Sequence, residues 1–183
     1  MRDADSGGDP DREGRIPPLP DPTVLVLDPE LHRRIIDHLR AALPNEGVGL
    51  LAVEWDREGT MMRALPRRFY PGTNIRQSPV RYQIDWSELV AALRDIDANG
   101  WSLGAIVHSH PRGPAVPSAT DLAEAWYPDS LMVIVSFAAD PPVLRAWVLG
   151  GERGDWAPRE AGIVVEPVDG GRPGIAPMGE LRE

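Results

Sequence analysis

Apolar residues recur at intervals of three and four through Leu31, Ile35, Leu39 and Ala42, a spacing that gathers one stripe of side chains on one helix face. Asp28 followed by Pro29 is a start signal, an N-cap with proline at the first helical position. Pro44 is a stop, so the spacing predicts a helix from about Pro29 to Leu43. The period then changes. Val48 to Val53 is a continuous apolar run, which reads as a buried strand with Glu46 at its entry. A turn over Asp56–Gly59 leads into a second strand from about Met61 to Tyr70, giving a hairpin, and Pro71, Gly72 and Asn74 open a loop.

Asp85 and Glu88 form a D-x-x-E pattern ahead of Leu89, Val90, Leu93 and Ile96, which predicts a second helix begun by a capping box and closed by Asn99-Gly100. Leu103 to Val107 is a short apolar strand that delivers His108 at its C-terminal end. A Pro- and Gly-rich loop follows from Pro111 to Pro117, and Ser118 is placed to cap a third helix over about Ala119–Tyr127. Leu131–Phe137 and Val143–Leu149 read as strands separated by the Asp140-Pro141-Pro142 turn, and Ile163–Glu166 as a last weak strand. With no internal repeat, this mixture predicts an α/β sandwich with a mixed sheet and helices on its faces.

A length of 183 residues with 42% hydrophobic positions suits one domain with its own core. Apolar residues are too sparse for that core over residues 1–22 and 169–183, so both are expected to be flexible tails around a domain spanning 23–168. The formal charge of −9 leaves no basic stripe for a nucleic-acid backbone and favours a neutral or basic protein partner. The longest apolar stretch, Leu131–Val135 continuing through Phe137, is far shorter than a membrane span, and no N-terminal run joins positive charge to an apolar segment. The expectation is a soluble, cytoplasmic protein with neither nucleic acid nor membrane as partner. Absence of cysteine excludes disulfides, thiolate metal sites and a cysteine nucleophile. All 19 basic residues are arginine, for which genome composition is a sufficient account; the alternative is an enzyme that cannot be conjugated through lysine.

Two of the four histidines stand at His108 and His110, and alternate residues of an extended segment project to the same side. Asp121, in the first turn of the predicted third helix, is placed to bring a carboxylate back to the same point. Two imidazoles and one carboxylate, with a fourth position for water, suit catalytic zinc. An H-x-H pair can equally be a pair of surface polar residues, so the wider pattern matters. His108-Ser109-His110-Pro111, six further residues, then Ser118-Ala119-Thr120-Asp121 fill every position of H-x-H-P-x6-S-x2-D, with Glu46 ahead of Gly47-Val48-Gly49-Leu50-Leu51 as an early acidic residue.

In these residues the chain resembles the JAMM/MPN zinc metallopeptidases, in particular their compact bacterial and actinobacterial-type branch. The resemblance covers roughly residues 23 to 150, including Asn74-Ile75-Arg76-Gln77-Ser78-Pro79 with Tyr82 and Asp85. It implies the MPN (cytidine-deaminase-like) sandwich, a mixed β-sheet flanked by helices. It further implies one zinc ion per chain held by His108, His110 and Asp121, with Glu46 as general base and Ser118 stabilising the oxyanion. The implied substrate is a ubiquitin-like or sulfur-carrier protein, cut after its C-terminal glycine. The chain departs from the pattern at Val48 or its neighbour, where a small residue, often cysteine or alanine, is expected after the glutamate; this touches packing rather than chemistry.

Other residues have plainer readings. His32 and His38 suit the boundary of the first helix, Glu54 and Glu58 suit solvent around a hairpin, and Trp86, Trp101, Trp126 and Trp147 suit the core or its rim, with Trp126 near enough to the loop to line a groove. Asn74 and Ser78 have turn chemistry as one account and a substrate-binding lip over the groove as the other. An extended glycine tail would gain main-chain hydrogen bonds by pairing with a free strand edge. Two further functions stay open. An idle scaffold module would have lost ligands, and none is lost here; a RadC-like protein linked to DNA repair shares the P-S-x2-D spacing and a glycine at Gly113, but the acidic chain and the Asn74–Asp85 segment favour the peptidase branch.

Overall fold

The computed structural model describes residues 19–167. The elements run β1 (Thr23–Leu27), α1 (Pro29–Ala41), β2 (Val48–Glu58), β3 (Met61–Gly72), α2 (Trp86–Ala98), β4 (Ser102–His110), α3 (Ala119–Ala123), β5 (Leu131–Ser136), β6 (Val143–Glu152) and β7 (Asp155–Val165). The α/β class and the mixed sheet agree with the sequence reading. The sheet, however, closes on itself in the order β1-β3-β2-β4-β5-β6-β7, a barrel where the sequence suggested a sandwich. The cause is β1, a five-residue apolar run that periodicity alone did not single out. It pairs in parallel with residues 62–64 of β3 on one side and 162–165 of β7 on the other, which completes the ring of strands while leaving the rest of β3 paired on one side only, with β2.

Local chemistry places the helices. Asp28 accepts hydrogen bonds from the Glu30 and Leu31 amides, both at 2.9 Å, and fixes the start of α1. Leu31, Ile35 and Leu39 then turn inward and join Leu25, Leu51, Val53, Val107 and Val133 in the main core. Each strand presents alternate residues to that core; Leu50, Ile106, Met132, Ile134 and Leu149 point the other way, the last three of these into a second cluster with Ala115 and Ala125. Asp85 caps α2 as predicted, but Glu88 does not complete a capping box. The Asp85 amide donates to the Thr73 carbonyl, and Glu88 is bound to Thr73 through its amide at 2.7 Å and its hydroxyl at 2.8 Å.

Other boundaries shift for identifiable reasons. The third helix stops at Ala123 rather than running to Tyr127, since the residue before Pro128 is biased away from helix. The last strand begins at Asp155, eight residues earlier than expected; its polar, Pro-containing first half earns its place by pairing with β6, which sequence patterning does not reveal. Leu19 packs against the main core, and Arg159 donates to the Pro20 carbonyl and the Asp21 carboxylate. Residues 1–18 and 168–183, which hold most of the expected tails, lie outside the described residues. Trp147 is buried, with its indole N–H donating to the Ala115 carbonyl, whereas Trp86 and Trp126 are 73% and 68% exposed and belong neither to the core nor to its packed rim. Among the described residues no helix is long and apolar enough to cross a membrane.

The centre of the sheet carries a packing constraint. β2 and β4 slip by one residue between Leu51 and Ala52, which leaves Gly104 without a partner in the ladder. A Cβ on Gly104 would stand 2.2 Å from Val53 Cγ1, so this bulge accepts only glycine. Gly104→Ala is expected to lower stability by about 1–3 kcal/mol, the usual range for overpacking, and Val53→Ala in the same chain should recover part of the loss. Urea unfolding of the single and double variants measures both; strictly additive losses would mean that the two side chains do not compete for one space.

Candidate active site and metal centre

His108 and His110 lie on β4 itself, at the end where the chain leaves for the crossover through α3 to the parallel strand β5. Alternation aims both rings to the same side, and their Nε2 atoms stand 3.2 Å apart. Asp121 arrives from α3, whose start is fixed by a reciprocal capping box: the Ser118 hydroxyl accepts from the Asp121 amide at 3.1 Å, and the Asp121 carboxylate accepts from the Ser118 amide at 2.7 Å. That box sets the carboxylate 3.4 Å from His108 Nε2 and 3.3 Å from His110 Nε2. All three residues are buried, and their ligand-type atoms lie within 4.8 Å of one another. This is a group able to hold a metal ion.

Electrostatics separates the roles. Burial holds His108 below the ordinary imidazole value, against the pull of Asp121. His110 feels the same burial, but Asp121, the Pro114 carbonyl and Glu46 outweigh it and leave it raised. Its Nδ1–H donates to the Pro114 carbonyl at 2.6 Å, which turns Nε2 toward His108 and Asp121. Asp121 is held well below the carboxylate range: burial opposes this, but the two imidazoles and Ser118 prevail. Tyr82 stacks on the His108 ring at 4.6 Å between centroids and 29° between planes, walling the group on that side.

Glu46 sits in the coil between α1 and β2 and is 3% exposed. Burial pushes its carboxyl up to about 7, with His110 pulling the other way. Its Oε2 is buried without a hydrogen-bond partner among the described residues, which leaves it able to take a water or another donor; the His108 Nδ1 is also unpartnered, on the side of the ring opposite the Nε2 that faces His110 and Asp121. The Gly47 amide donates to the Ser109 hydroxyl at 2.8 Å, and the Ser109 amide to the Gly47 carbonyl at 3.0 Å. Ser109 stands between the two histidines, so the Glu46 segment is bolted to the strand that carries them. This link escaped the sequence reading, although its signal is the serine inside H-S-H. The Ser78 carbonyl and the Asn74 side chain lie against the Glu46 peptide.

A cleft of about 430 Å³ leads away from Asp121, between the segment Arg76–Trp86 and the chain after α3. Tyr82, Ile84, Trp86, Trp126 and Arg153 line it. Arg81 and Glu124 form a bidentate ion pair between its two sides. The Arg153 guanidinium covers the Trp126 ring at 3.3 Å from the centroid, so Trp126 meets the groove and not the core. His38, read as a boundary residue, hydrogen-bonds the Val48 carbonyl at 2.9 Å and meets the Phe69 ring edge-on.

A buried two-histidine, one-carboxylate group at the exit of a parallel strand, with a buried glutamate beside it, defines a candidate metal-dependent hydrolytic centre. The particular family follows from sequence comparison: the sequence model of the prokaryotic homologs of the JAB domain matches residues 28–150, and the chain belongs to that family. It is 42% identical over 89 residues to a probable TtuB-protein conjugate cleaving protease of Thermus thermophilus, a match covering 48% of this chain and 54% of that protein. It is 34% identical over 113 residues to the CysO-cysteine peptidase of Mycobacterium tuberculosis, covering 62% of this chain and 73% of the relative. The chain thus spans about half the length of the first relative and nearly three quarters of the second. A solution structure of a protein from Desulfitobacterium hafniense superposes with a TM-score of 0.65 at 33% identity, covering 78% of this chain and 92% of that one.

The raised Glu46 value fixes the sign of a stability effect. The folded chain holds this proton up to about pH 7, whereas the unfolded chain releases it near 4.5. The group's favourable contribution is therefore complete below about pH 4.5 and is lost as pH rises through 7. In chelator-treated protein, Glu46→Gln is expected to be more stable than the parent by about 3 kcal/mol at pH 8, with the difference closing toward pH 4.5. Denaturant unfolding at the two pH values measures this; a difference independent of pH would show that the carboxyl is not desolvated.

Proposed function

We propose that this chain is a zinc-dependent peptidase or isopeptidase that cuts after the C-terminal glycine of a ubiquitin-like or sulfur-carrier protein. The observation that carries the reading is the convergence of His108, His110 and Asp121 in a buried group, with the unpartnered carboxylate oxygen of Glu46 beside it. The donor set of two imidazole nitrogens and one carboxylate suits zinc with an open position, and His108, His110 and Asp121 would hold the ion, one per chain. Zinc bound there supplies Lewis acidity and makes a water acidic enough to act as a nucleophile near neutral pH.

The remaining work falls to side chains of the protein. Glu46 takes the proton from the attacking water and returns it to the leaving amine; its buried Oε2, without a partner among the described residues, is available to accept that proton. The Ser118 hydroxyl accepts from the Asp121 amide and keeps its own hydrogen for donation, so capping the helix and stabilising a developing oxyanion are compatible roles. The relatives support the substrate class, since their names describe cleavage of TtuB conjugates and of CysO-cysteine. The cleft beside Asp121 supplies a path for an extended tail.

His110→Ala should lose most of its zinc in elemental analysis of protein purified without chelator; a full equivalent retained would refute the ligand set. Glu46→Gln should keep its zinc and lose at least about 100-fold in turnover, within the usual range for removing a general base, and activity near the parent level would refute that role. Among ubiquitin-like fusions ending in Gly-Gly, Gly-Ala or Gly-Val before the scissile bond, the valine form should be cut at least about tenfold more slowly than the glycine form, as expected when a narrow site meets added carbon atoms. Equal rates would remove the support for a glycine-tailed substrate.

A further inference from the structure

Among Glu46, His108, His110 and Asp121, Glu46 alone lies outside every helix and strand, so its position depends on what holds its backbone. Four polar groups flank its side chain. Two of them, the Gly47 amide and carbonyl, are bound to Ser109 of β4. The other two belong to Glu46 itself: its amide donates to the Ser78 carbonyl at 2.8 Å, and its carbonyl accepts from Asn74 Nδ2 at 2.8 Å. One side of the residue is thus tied to the strand of the imidazoles, and the other to the loop between β3 and α2.

That loop is braced. The Thr73 carbonyl accepts from the Asp85 amide, the Ile75 amide donates to the Gln83 carbonyl, and Glu88 of α2 holds Thr73. Asn74 lies at the centre of the brace, with its amide fully engaged. Besides Glu46, Nδ2 donates to the Arg81 carbonyl at 3.2 Å; Oδ1 accepts from the Arg76 and Gln83 amides, both at 3.0 Å. An amide with all its capacity used inside the protein has nothing left for a substrate. The same loop carries Tyr82 against His108 and Arg81 across the cleft to Glu124.

We propose that Asn74 is a positioning residue for Glu46: its hydrogen bond to the Glu46 carbonyl aims the carboxylate at His108, His110 and Asp121, and makes the cleft-lining loop and the general base one rigid unit. The proposal rests on the reading of Glu46 as base. A displacement of about 1 Å in a reacting group costs on the order of 100-fold in rate, so a coil residue in that role needs such a clamp.

Two substitutions test it. Asn74→Ala removes all four bonds, while Asn74→Asp keeps the acceptor for Arg76 and Gln83 and removes the donors to the Glu46 and Arg81 carbonyls, which guards against simple collapse of the loop. In both variants zinc content and KM for a ubiquitin-like fusion ending in Gly-Gly should stay near parental values, and kcat should fall about 30- to 100-fold. In a Glu46→Gln background the same substitutions should cost no more than about twofold, because a clamp has nothing to aim once the base is gone. In metal-free protein, hydrogen exchange of the segment 45–48 should accelerate in both variants while that of 105–110 does not. An equal kcat loss in the Glu46→Gln background, or a loss confined to KM, would overturn the proposal in favour of substrate contact. If Glu46→Gln itself turns over like the parent, the base assignment fails instead, and the exchange measurement still decides whether Asn74 holds the Glu46 peptide.

Discussion

The antiparallel pairing of β2 with β4, carried past its last regular pair Val48–His108 by the two hydrogen bonds between Gly47 and Ser109, is the constraint on which the centre depends. It sets Glu46 next to two imidazoles that lie more than sixty positions away in sequence. β4 is flanked on both sides, by β2 and β5, and its alternate residues Ala105 and Val107 are buried in the main core. A slip of one residue would turn that core face outward and the histidines inward. The packing of small aliphatic side chains therefore fixes the direction of the two imidazoles.

Such a centre is an expense to the fold. Glu46, His108, His110 and Asp121 are each less than a tenth exposed, and ionisable groups out of water are unfavourable unless partnered. Asp121 is compensated by two rings and a backbone amide. Glu46 is compensated on its backbone and left with a bare Oε2. The uneven distribution suits the roles proposed for the two groups: a ligand has to remain ionised, whereas a base has to accept a proton. Burial that would weaken an ordinary surface carboxylate is what brings Glu46 into the neutral range.

Much of this was legible in the sequence, and the parts that were not share a cause. The histidine pair, Ser118 and Asp121 fall within fourteen consecutive residues, so local rules of alternation and capping suffice to bring them together. Helices α1 and α2 were visible because their apolar stripes and caps are also local. Glu46 entered only through family resemblance, since no periodicity connects it to His108. β1 and the first half of β7 were missed because their stability comes from neighbours distant in the chain rather than from their own pattern. Trp86 was misplaced because aromatic residues are usually buried, whereas for Trp126 the alternative of a groove wall near the loop is the one that holds. The contribution of Asn74 was invisible for the same reason as β1: it consists of bonds to backbone groups that only the folded chain brings near.

Closure of the sheet by β1 has a consequence for solubility. Strand edges in open sheets are blunted by charge, proline or bulges, because a bare edge is a template for another chain. β1, with the sequence Thr-Val-Leu-Val-Leu, has none of these protections and needs none while β3 and β7 occupy both of its sides. It acts as a two-sided seal. Proteolytic removal of this short segment would uncover two short ladders at once, residues 62–64 of β3 and 162–165 of β7, and open the ring of strands there. By the same logic, the pairing of β1 on both sides keeps an unprotected apolar strand from serving as such a template.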